Sequence, residues 1–348
     1  MGPVTPLIAL YQRLKAKTDT EALWVGTRRG PEVSFVASYG LRYKSITSAK
    51  LRRSFDIRNF FIPIFLLIGF FESLIIVLSF KPNIIVSAGG FNSVPLAWAG
   101  FFLRVPVLIH QEDVKIGLAN LLMAPISKMV TTAFPEVAKV FPHPNRRGIG
   151  NPIREEILNS KKKNKNECKV RFGLSNQLPV LLVLGGGTGA LAINRLVWEG
   201  RQDLQKTFQI LHVTGRDKGH FPGETGYVAV EFLGNEDLPC AYAAADLVLS
   251  RAGLGVIGEL AALGLPTAFM PIPSSHQEIN ALYLEERGAA VVLPQTITGQ
   301  KLASELNKLF LNIQKMEKLS QNIKAIFPPD AAERLAELVI KLSKKNRP

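Results

Sequence analysis

The sequence is poor in cysteine, with only Cys168 and Cys240 among its 348 residues. Two cysteines are too few for a disulfide framework, and they lie too far apart in the sequence for a metal-binding motif. We therefore expect a reduced, cytosolic compartment. Charged residues make up 20% of the chain and hydrophobic residues 47%, a balance that excludes disordered, collagen-like and coiled-coil chains. The length predicts about two globular domains.

Acidic residues are also in short supply. The chain has 28 aspartates and glutamates against 42 lysines and arginines, a formal net charge of +14. Such an excess predicts an anionic partner, namely phosphate, nucleic acid or a negatively charged membrane. Because the sequence has neither a motif of stacking aromatic residues nor a basic-helix motif, we do not expect it to bind nucleic acid.

No N-terminal signal peptide is recognisable, but one long hydrophobic run spans residues 60–80. Its length would suffice for a membrane-spanning helix, although Pro63, Gly69 and Glu72 weaken that interpretation. A helix in the membrane interface and a buried core helix are the alternatives, and both rank above a spanning helix. The run follows a basic cluster at 42–58 that can contact anionic headgroups, with Arg42, Lys44, Lys50, Arg52, Arg53 and Arg58 as its cations.

Short, continuously apolar segments predict the strands of a parallel sheet that is covered on both faces. Stretches long enough for helices separate them, so the fold class is α/β. Proline and a basic run near 150–152 predict two domains, residues 1–152 and 153–348, with a last helix at 330–345 that can pack back on the first domain. The basic run at 161–171 is most simply a solvated linker or loop. The six predicted strands are 84–86, 107–109, 180–184, 210–213, 246–249 and 267–270.

Two strand-to-helix turns are candidate phosphate sites. The glycine-rich segment 185–190 follows a strand and opens a helix, where backbone N–H groups can approach phosphate, although it could also be only a tight turn. The segment 251–259 repeats this pattern. Its Glu259 lies one helical turn further on and can either accept hydrogen bonds from ribose hydroxyls or balance the helix dipole.

Two further segments have less specific signals. The guanidinium of Arg154 can bind a phosphate by a bidentate contact, or form a surface ion pair with Glu155 or Glu156. The segment 276–280 offers amides for sugar hydroxyls, or a helix cap.

Taken in order, these motifs resemble the family 28 glycosyltransferases that add N-acetylglucosamine to an undecaprenyl-linked muramyl-pentapeptide. The resemblance covers nearly the whole chain, and seven motifs in order make it specific. They are 2–6, 87–91, 110–113 with 117–120, 150–154, 185–190, 245–247 with 251–253, and 264–266 with Gln277, Asn280 and Ala281.

The resemblance implies a GT-B fold, in which two Rossmann-like parallel-sheet domains face a cleft. The undecaprenyl-linked acceptor would bind the N-terminal half, and UDP-N-acetylglucosamine mainly the C-terminal half. No metal or other cofactor is implied, because helix N-termini and arginine would stabilise the departing UDP. Residues 2–6 and 89–90 would line the same cytosolic cleft, which disfavours a single membrane crossing between them. We therefore expect an interfacial helix at 60–80 and a peripheral location on the cytoplasmic face of the plasma membrane.

The resemblance also implies individual roles. The backbone of residues 254–258 would contact the diphosphate and Glu259 the ribose, while Leu233 would lie beside the uracil. Gln277, with His276, would hold the sugar, and Arg154 and the 185–190 loop would contact phosphate. The complete set of implied substrate-binding residues is Gly2, Gly89, Gly90, Asp113, Arg154, Gly187, Thr188, Leu233, Arg251, Leu254, Gly255, Val256, Ile257, Gly258, Glu259, His276 and Gln277.

This chain departs from the family pattern at two places. The family opens with a strand and a Gly-Gly-Thr-Gly-Gly-His motif, whereas this sequence begins inside that motif with Gly2 and has Pro3 at the histidine position. The first strand and the usual candidate base are therefore missing, which leaves His110, Glu112 and Asp113 as substitutes. The second departure is Gly187, which replaces a serine.

The expected reaction is an inverting, metal-independent transfer of N-acetylglucosamine to the 4-hydroxyl of the lipid-linked acceptor. One alternative is another lipid-directed UDP-sugar glycosyltransferase, such as a diacylglycerol glycosyltransferase. The other is a catalytically silent nucleotide-sugar-binding module.

Overall fold

The computed structural model describes residues 2–30, 32–48, 60, 62–185, 190–219 and 221–344. The chain forms two compact units: unit 1 contains residues 1–154 and 328–348, and unit 2 contains residues 155–327. The division falls two residues after the boundary that we predicted at 152. The C-terminal segment belongs to unit 1.

The elements alternate between strands and helices along the whole chain. The strands are β1 Leu23–Gly26, β2 Arg42–Ser45, β3 Ile85–Ser87, β4 Val107–Gln111, β5 Met129–Thr132, β6 Arg146–Gly148, β7 Val180–Leu184, β8 Gln209–Val213, β9 Tyr227–Val230, β10 Leu247–Ser250, β11 Thr267–Phe269 and β12 Val291–Val292. The helices are α1 Thr5–Lys17, α2 Glu32–Ala37, α3 Ile62–Phe80, α4 Ser93–Phe102, α5 Leu118–Met123, α6 Pro135–Val140, α7 Glu155–Leu158, α8 Lys165–Arg171, α9 Leu191–Leu204, α10 Asp237–Ala244, α11 Leu254–Leu263, α12 His276–Glu286, α13 Gly299–Leu311, α14 Ile313–Lys324 and α15 Ala331–Lys344.

Unit 2 is built on a six-stranded parallel sheet in the order β12-β11-β10-β7-β8-β9. If β7 to β12 are numbered 1 to 6, the order read from β9 to β12 is 3-2-1-4-5-6, that of a doubly wound fold. The strand order reverses between β7 and β10. Both central strands are completely buried. Ligands of such sheets bind outside the carboxyl ends of the strands at the reversal point, which is where the turns after β7 and β10 begin.

Unit 1 contains two separate parallel sheets, β1-β2 and β3-β4-β5-β6. In the doubly wound order, the first strand lies between the second and the fourth and joins the two halves of the sheet. The described part of unit 1 has no strand in that position.

The C-terminal helix α15 packs on α1 and completes the core of unit 1. Leu10 of α1, Leu108 of β4 and Leu335 of α15 belong to one buried cluster. Leu10 precedes α3 in the chain and Leu108 follows it. A single membrane crossing by α3 would put these two residues on opposite sides of a bilayer, so the fold is incompatible with one crossing.

Helix α3 is long and apolar enough to cross a membrane by length and composition alone. Only 22% of its most apolar window is buried within the protein, which argues against a buried core helix. The residues that weakened the spanning interpretation each have a structural role. Pro63 lies in the first turn, where its missing N–H costs nothing. A Cβ at Gly69 would collide with the Thr47 carbonyl oxygen, and Glu72 accepts hydrogen bonds from the N–H and hydroxyl of Thr47. Glu72 also pairs with Arg28, at 3.4 Å.

The basic run at 161–171 is largely exposed, as expected, but it is not a linker or loop, and that part of the expectation was wrong. Most of it forms a 3-10 turn and α8, which packs on α10. Arg171 pairs with Asp237 at 2.5 Å and Lys165 with Asp246 at 2.5 Å. Lys169 is buried and donates to the Leu178 carbonyl at 2.7 Å. The helix is capped by the Asn164 side chain and packs on α10, and three of its cations have partners that are remote in sequence.

The same two helices carry the cysteines, and here the expectation of a reduced pair was also wrong. Cys168 of α8 and Cys240 of α10 form a disulfide with a Cα–Cα distance of 5.1 Å, across 72 residues of sequence. Their separation in sequence gave no information about this contact, because the packing of α8 on α10 brings them together.

Candidate substrate-binding sites

The turn after β10 in unit 2 has the geometry of an anion site. Gly253 is the N-cap of α11 in an extended conformation, and as a glycine it has no side chain with which to cap the helix. The cap residue therefore supplies no side-chain oxygen that would compete with an anion for the backbone N–H groups of the first turn. Gly255 and Val256 are partly exposed there, whereas Leu254, Ile257 and Gly258 are buried.

Arg251, immediately before this turn, is buried and braces the protein backbone. Its Nη1 donates to the carbonyl oxygens of Met270 at 2.7 Å and Pro271 at 3.2 Å. Its Nη2 lies 3.4 Å from Gln295 Oε1. Burial lowers the pKa of the guanidinium. The structure thus gives Arg251 contacts that join the β10 turn to the segment after β11.

Glu259 lies on the second turn of α11 and is 4% exposed. The hydroxyl of Tyr242 on α10 donates to its Oε2 at 2.7 Å. A buried carboxylate is stable only when it is hydrogen-bonded, so this contact accounts for part of its placement.

Helix α12 brings an amide to the start of α11. Ser275 caps α12 by accepting from the Gln277 N–H at 3.2 Å. A Cβ built on Gly253 would lie 4.0 Å from Gln277 Nε2. Asn280, which is buried, has its Nδ2 3.4 Å from the Ala252 carbonyl oxygen. His276 is exposed at the first position of the helix.

The glycine-rich turn after β7 is only partly described. Gly187 and Thr188 lie outside the described residues, which resume at Ala190, the extended N-cap of α9. The Oδ1 of Asn194, in the first turn of α9, accepts from His212 Nε2 at 3.1 Å. Its Nδ2 donates to the Thr214 carbonyl at 2.9 Å. Leu233, the predicted neighbour of the uracil, is buried after β9.

In unit 1, the turn after β3 requires glycine. Gly89 and Gly90 both have φ of +96°, a region that other residues rarely adopt. The Gly89 N–H donates to Ser87 Oγ at 3.0 Å. A Cβ on Gly89 would lie 3.4 Å from Asn120 Oδ1, so this turn and helix α5 are close together.

The turn after the neighbouring strand β4 is organised by Gln111. Its Nε2 donates to the carbonyl oxygens of Asp113 at 2.7 Å and Lys115 at 3.1 Å. Its Oε1 accepts from Asn120 Nδ2 at 2.6 Å. Because β3 and β4 are parallel neighbours, the turns after them lie at one edge of the sheet.

The three candidate bases differ sharply in environment. His110 is completely buried, its Nδ1 lies 3.0 Å from Thr131 Oγ1, and burial lowers its pKa to about 3. Glu112 is 6% exposed, and its Oε1 has no hydrogen-bond partner among the described residues. Burial, with a smaller contribution from the nearby charge of Asp113, raises the pKa of Glu112. Asp113 is half-buried.

Arg154 is buried rather than on the surface, with 3% exposure. Its Nη1 donates to the Tyr39 hydroxyl at 3.0 Å, and its guanidinium lies 5.3 Å from the Phe35 ring centroid. Gly2 and Pro3 belong to a short 3-10 turn before α1.

The structure thus brings Gly253 and Gln277 together in unit 2, with Glu259 further along α11, and it brings Gly89, Gly90 and the 111–113 segment together in unit 1. Sequence reasoning missed Tyr242 and the bracing role of Gln111. A buried carboxylate such as that of Glu259 needs a hydrogen-bond donor. That requirement was the only signal that could have pointed to a residue such as Tyr242. Among the described residues, no group of three or more His, Cys, Asp or Glu side chains could hold a metal ion.

Two family models match the chain. The glycosyltransferase family 28 N-terminal domain matches residues 1–132, and the glycosyltransferase family 28 C-terminal domain matches residues 180–335. A protein of Clostridium tetani is 35% identical over 329 residues, which cover 92% of this chain and 90% of the relative. It is named UDP-N-acetylglucosamine--N-acetylmuramyl-(pentapeptide) pyrophosphoryl-undecaprenol N-acetylglucosamine transferase.

Solved structures share the fold. MurG of Acinetobacter baumannii superposes with a TM-score of 0.73 at 24% identity, covering 98% of this chain and 96% of that one. The UDP-GlcNAc 2-epimerase of Neisseria meningitidis, bound to UDP-GlcNAc, has a TM-score of 0.69 at 13% identity, with coverage of 97% and 96%. These likenesses show the two-domain, Rossmann-like GT-B fold. With both domain models matched in order and a relative similar over nearly its full length, the chain belongs to glycosyltransferase family 28.

Proposed function

We propose that this protein transfers N-acetylglucosamine from UDP-N-acetylglucosamine to undecaprenyl-pyrophosphoryl-N-acetylmuramyl-pentapeptide, the step that completes the lipid-linked disaccharide of peptidoglycan. The similarity to the Clostridium tetani transferase over 92% of the chain carries the proposal. The arrangement of Gly253, Glu259 and Gln277 in unit 2 supports it, because it offers groups suited to diphosphate, ribose and sugar hydroxyls.

In the proposed reaction, the 4-hydroxyl oxygen of the acceptor attacks C1 of N-acetylglucosamine. The bond between C1 and the diphosphate oxygen breaks, and UDP leaves with that electron pair. The first turn of α11 directs its N–H groups and partial positive charge at the diphosphate, where negative charge develops. The proton of the attacking hydroxyl passes to a base in unit 1, and the configuration at C1 inverts.

We assign the base to Glu112. A buried carboxylate oxygen without a partner is uncommon in a folded protein and marks a candidate functional group. His110 is a poorer base because burial lowers its pKa to about 3 and its Nδ1 contacts Thr131. Asp113 remains the second candidate, since it is more exposed.

The proposal is tested directly with purified protein in detergent. Supplied with radiolabelled UDP-N-acetylglucosamine and the undecaprenyl-linked acceptor, it should form a disaccharide-lipid. Diacylglycerol in the same reaction should remain unlabelled. The assignment fails if the protein forms no disaccharide-lipid while the Clostridium tetani relative does so under the same conditions. Binding of UDP-N-acetylglucosamine without turnover would favour a silent binding module.

The Glu259→Gln substitution should weaken UDP binding about tenfold, because hydrogen bonds to a charged acceptor exceed those to a neutral one by about 1.4 kcal/mol. Isothermal titration calorimetry measures the change. Glu305→Gln is the control, since Glu305 pairs with Lys301 on α13. Equal UDP affinity in wild type and Glu259→Gln would remove Glu259 from the donor site.

We also propose that α3 and α4 lie against the membrane surface. One face of α3 exposes a stripe of large apolar residues, and α4 adds three aromatic ones: Ile64, Leu67, Phe71, Ile75 and Leu78, with Trp98, Phe101 and Phe102. Arg42 of the basic cluster lies over the Phe80 ring at the end of α3 and pairs with Glu21. The cluster residues Lys50, Arg52, Arg53 and Arg58 lie outside the described residues.

Replacing Phe71 and Ile75 together with glutamine should lower partitioning onto phosphatidylglycerol vesicles about tenfold or more, because two large apolar side chains no longer leave water. Vesicle co-sedimentation measures this. Leu311→Gln/Ile313→Gln is the matched control, since those residues are 72% and 70% exposed in unit 2. An equal loss in both double variants would contradict a specific role for α3.

A further inference from the structure

The ribose-binding carboxylate of the proposed donor site is held by a residue from another helix. Tyr242 and Glu259 are 17 residues apart, on α10 and α11, and both are buried, with 2% and 4% exposure. The phenol O–H donates to Glu259 Oε2 at 2.7 Å. An ionised carboxylate can accept about four hydrogen bonds, and the bond from the phenol restrains the direction in which this carboxylate points.

The helix that carries Tyr242 is itself anchored. Two residues before Tyr242, Cys240 is bonded to Cys168 of α8. In the first turn of α10, Asp237 accepts from Arg171 Nε at 2.8 Å. Arg251, which follows β10, is held separately by hydrogen bonds that it donates to two backbone carbonyls. The phenol is therefore presented from a helix with two cross-links, as precise positioning of a binding group requires.

We propose that Tyr242 is a positioning residue that makes the donor site select ribonucleotides, by orienting Glu259 toward the ribose hydroxyls. The proposal rests on the proposed function, because it takes Glu259 as the ribose ligand. If Tyr242 only filled space, substituting it would change folding and would change the binding of all nucleotides equally. If Tyr242 positions Glu259, substituting it instead weakens the binding of those nucleotides whose ribose hydroxyls donate to Glu259.

The test compares UDP with 2′,3′-dideoxy-UDP by isothermal titration calorimetry. We expect wild type to prefer UDP, and Tyr242→Phe to weaken UDP binding about fivefold, the effect of one neutral hydrogen-bond donor. Binding of the dideoxy nucleotide should stay nearly the same, so the ratio of the two affinities shrinks. In the Glu259→Gln background, the same Phe substitution should change the ratio little.

Tyr227→Phe is the matched control. Tyr227 is also buried in unit 2, and its hydroxyl lies 2.6 Å from His212 Nδ1. Removing that hydroxyl should leave the ratio of affinities unchanged, even if the variant melts at a lower temperature.

An unchanged ratio in Tyr242→Phe would overturn the inference and leave the proposed function intact. If Tyr242→Phe does not fold, Tyr242→Met also lacks the hydroxyl and fills the site flexibly, and the same criterion applies to it. Should wild type bind UDP without preferring it to the dideoxy form, both the inference and the role of Glu259 are wrong. Should wild type bind neither nucleotide, the proposed function itself fails.

Discussion

Glu112→Gln is expected to lower kcat for sugar transfer by about 10²- to 10⁴-fold, the usual contribution of a general base. The substitution keeps the size of the side chain and removes its capacity to accept a proton. KM for UDP-N-acetylglucosamine should change little, because the proposed donor-binding groups lie in unit 2. Initial rates with the lipid-linked acceptor measure both parameters.

The pH dependence gives an independent readout. Burial raises the pKa of Glu112, and a base must be ionised to act. Activity should therefore fall as the pH drops through a value above the ordinary carboxylate range. The residual activity of Glu112→Gln should not show this decrease at low pH.

Stability should move in the opposite direction. Because the pKa of Glu112 is higher in the folded than in the unfolded protein, ionisation disfavours folding, and stability decreases as the pH rises from the unfolded to the folded pKa. Glu112→Gln removes this charge and should be as stable as wild type or more stable at neutral pH. A residue with only a structural role would not combine lost activity with retained stability.

Asp113→Asn is the matched control, at the adjacent and more exposed carboxylate. We expect a smaller fall in kcat there. If Asp113→Asn abolishes transfer while Glu112→Gln retains it, the base is Asp113 and the assignment of Glu112 is wrong.

Removing the disulfide with Cys168→Ser/Cys240→Ser should lower the free energy of unfolding of unit 2. Loop closure over 72 residues corresponds to about 4 kcal/mol in the chain-entropy model. Urea unfolding measures the difference. Trp24→Phe/Trp98→Phe should serve as the background, because Trp198 on α9 then reports unit 2 alone.

Reduction supplies the control for this prediction. Dithiothreitol should destabilise the parent protein by a similar amount and leave the double serine variant unaffected. Alkylation of two thiols in the native, non-reduced protein, or equal stability with and without reductant, would contradict the cross-link.

All six strands predicted from apolar runs are present, and four of them are the central strands of unit 2. These runs are recognisable because a strand buried on both faces must be apolar at every position. The strands that were missed are short or polar: β2 is Arg-Tyr-Lys-Ser and β6 is Arg-Arg-Gly. Their exposed side chains follow no hydrophobic pattern, and only pairing with a neighbouring strand defines them.

The same distinction applies to the candidate sites. Gly253 and Glu259 were recognisable because a strand, a glycine turn and a helix are contiguous in sequence. Arg251 was recognised as part of that motif, but its contacts with the Met270 and Pro271 carbonyls depend on a loop that follows another strand.

The sequence by itself determined the α/β class, the position of the glycine turn before α11 in unit 2 and the family. Each of these follows from local hydrophobic pattern and contiguous motifs. Only the tertiary structure decided that α15 joins unit 1, that Glu72 faces Thr47, that Cys168 is bonded to Cys240 and that the Tyr242 hydroxyl donates to Glu259. Those contacts join residues that are distant in the chain. They depend on how helices pack against sheets and one another, and no local propensity encodes that packing.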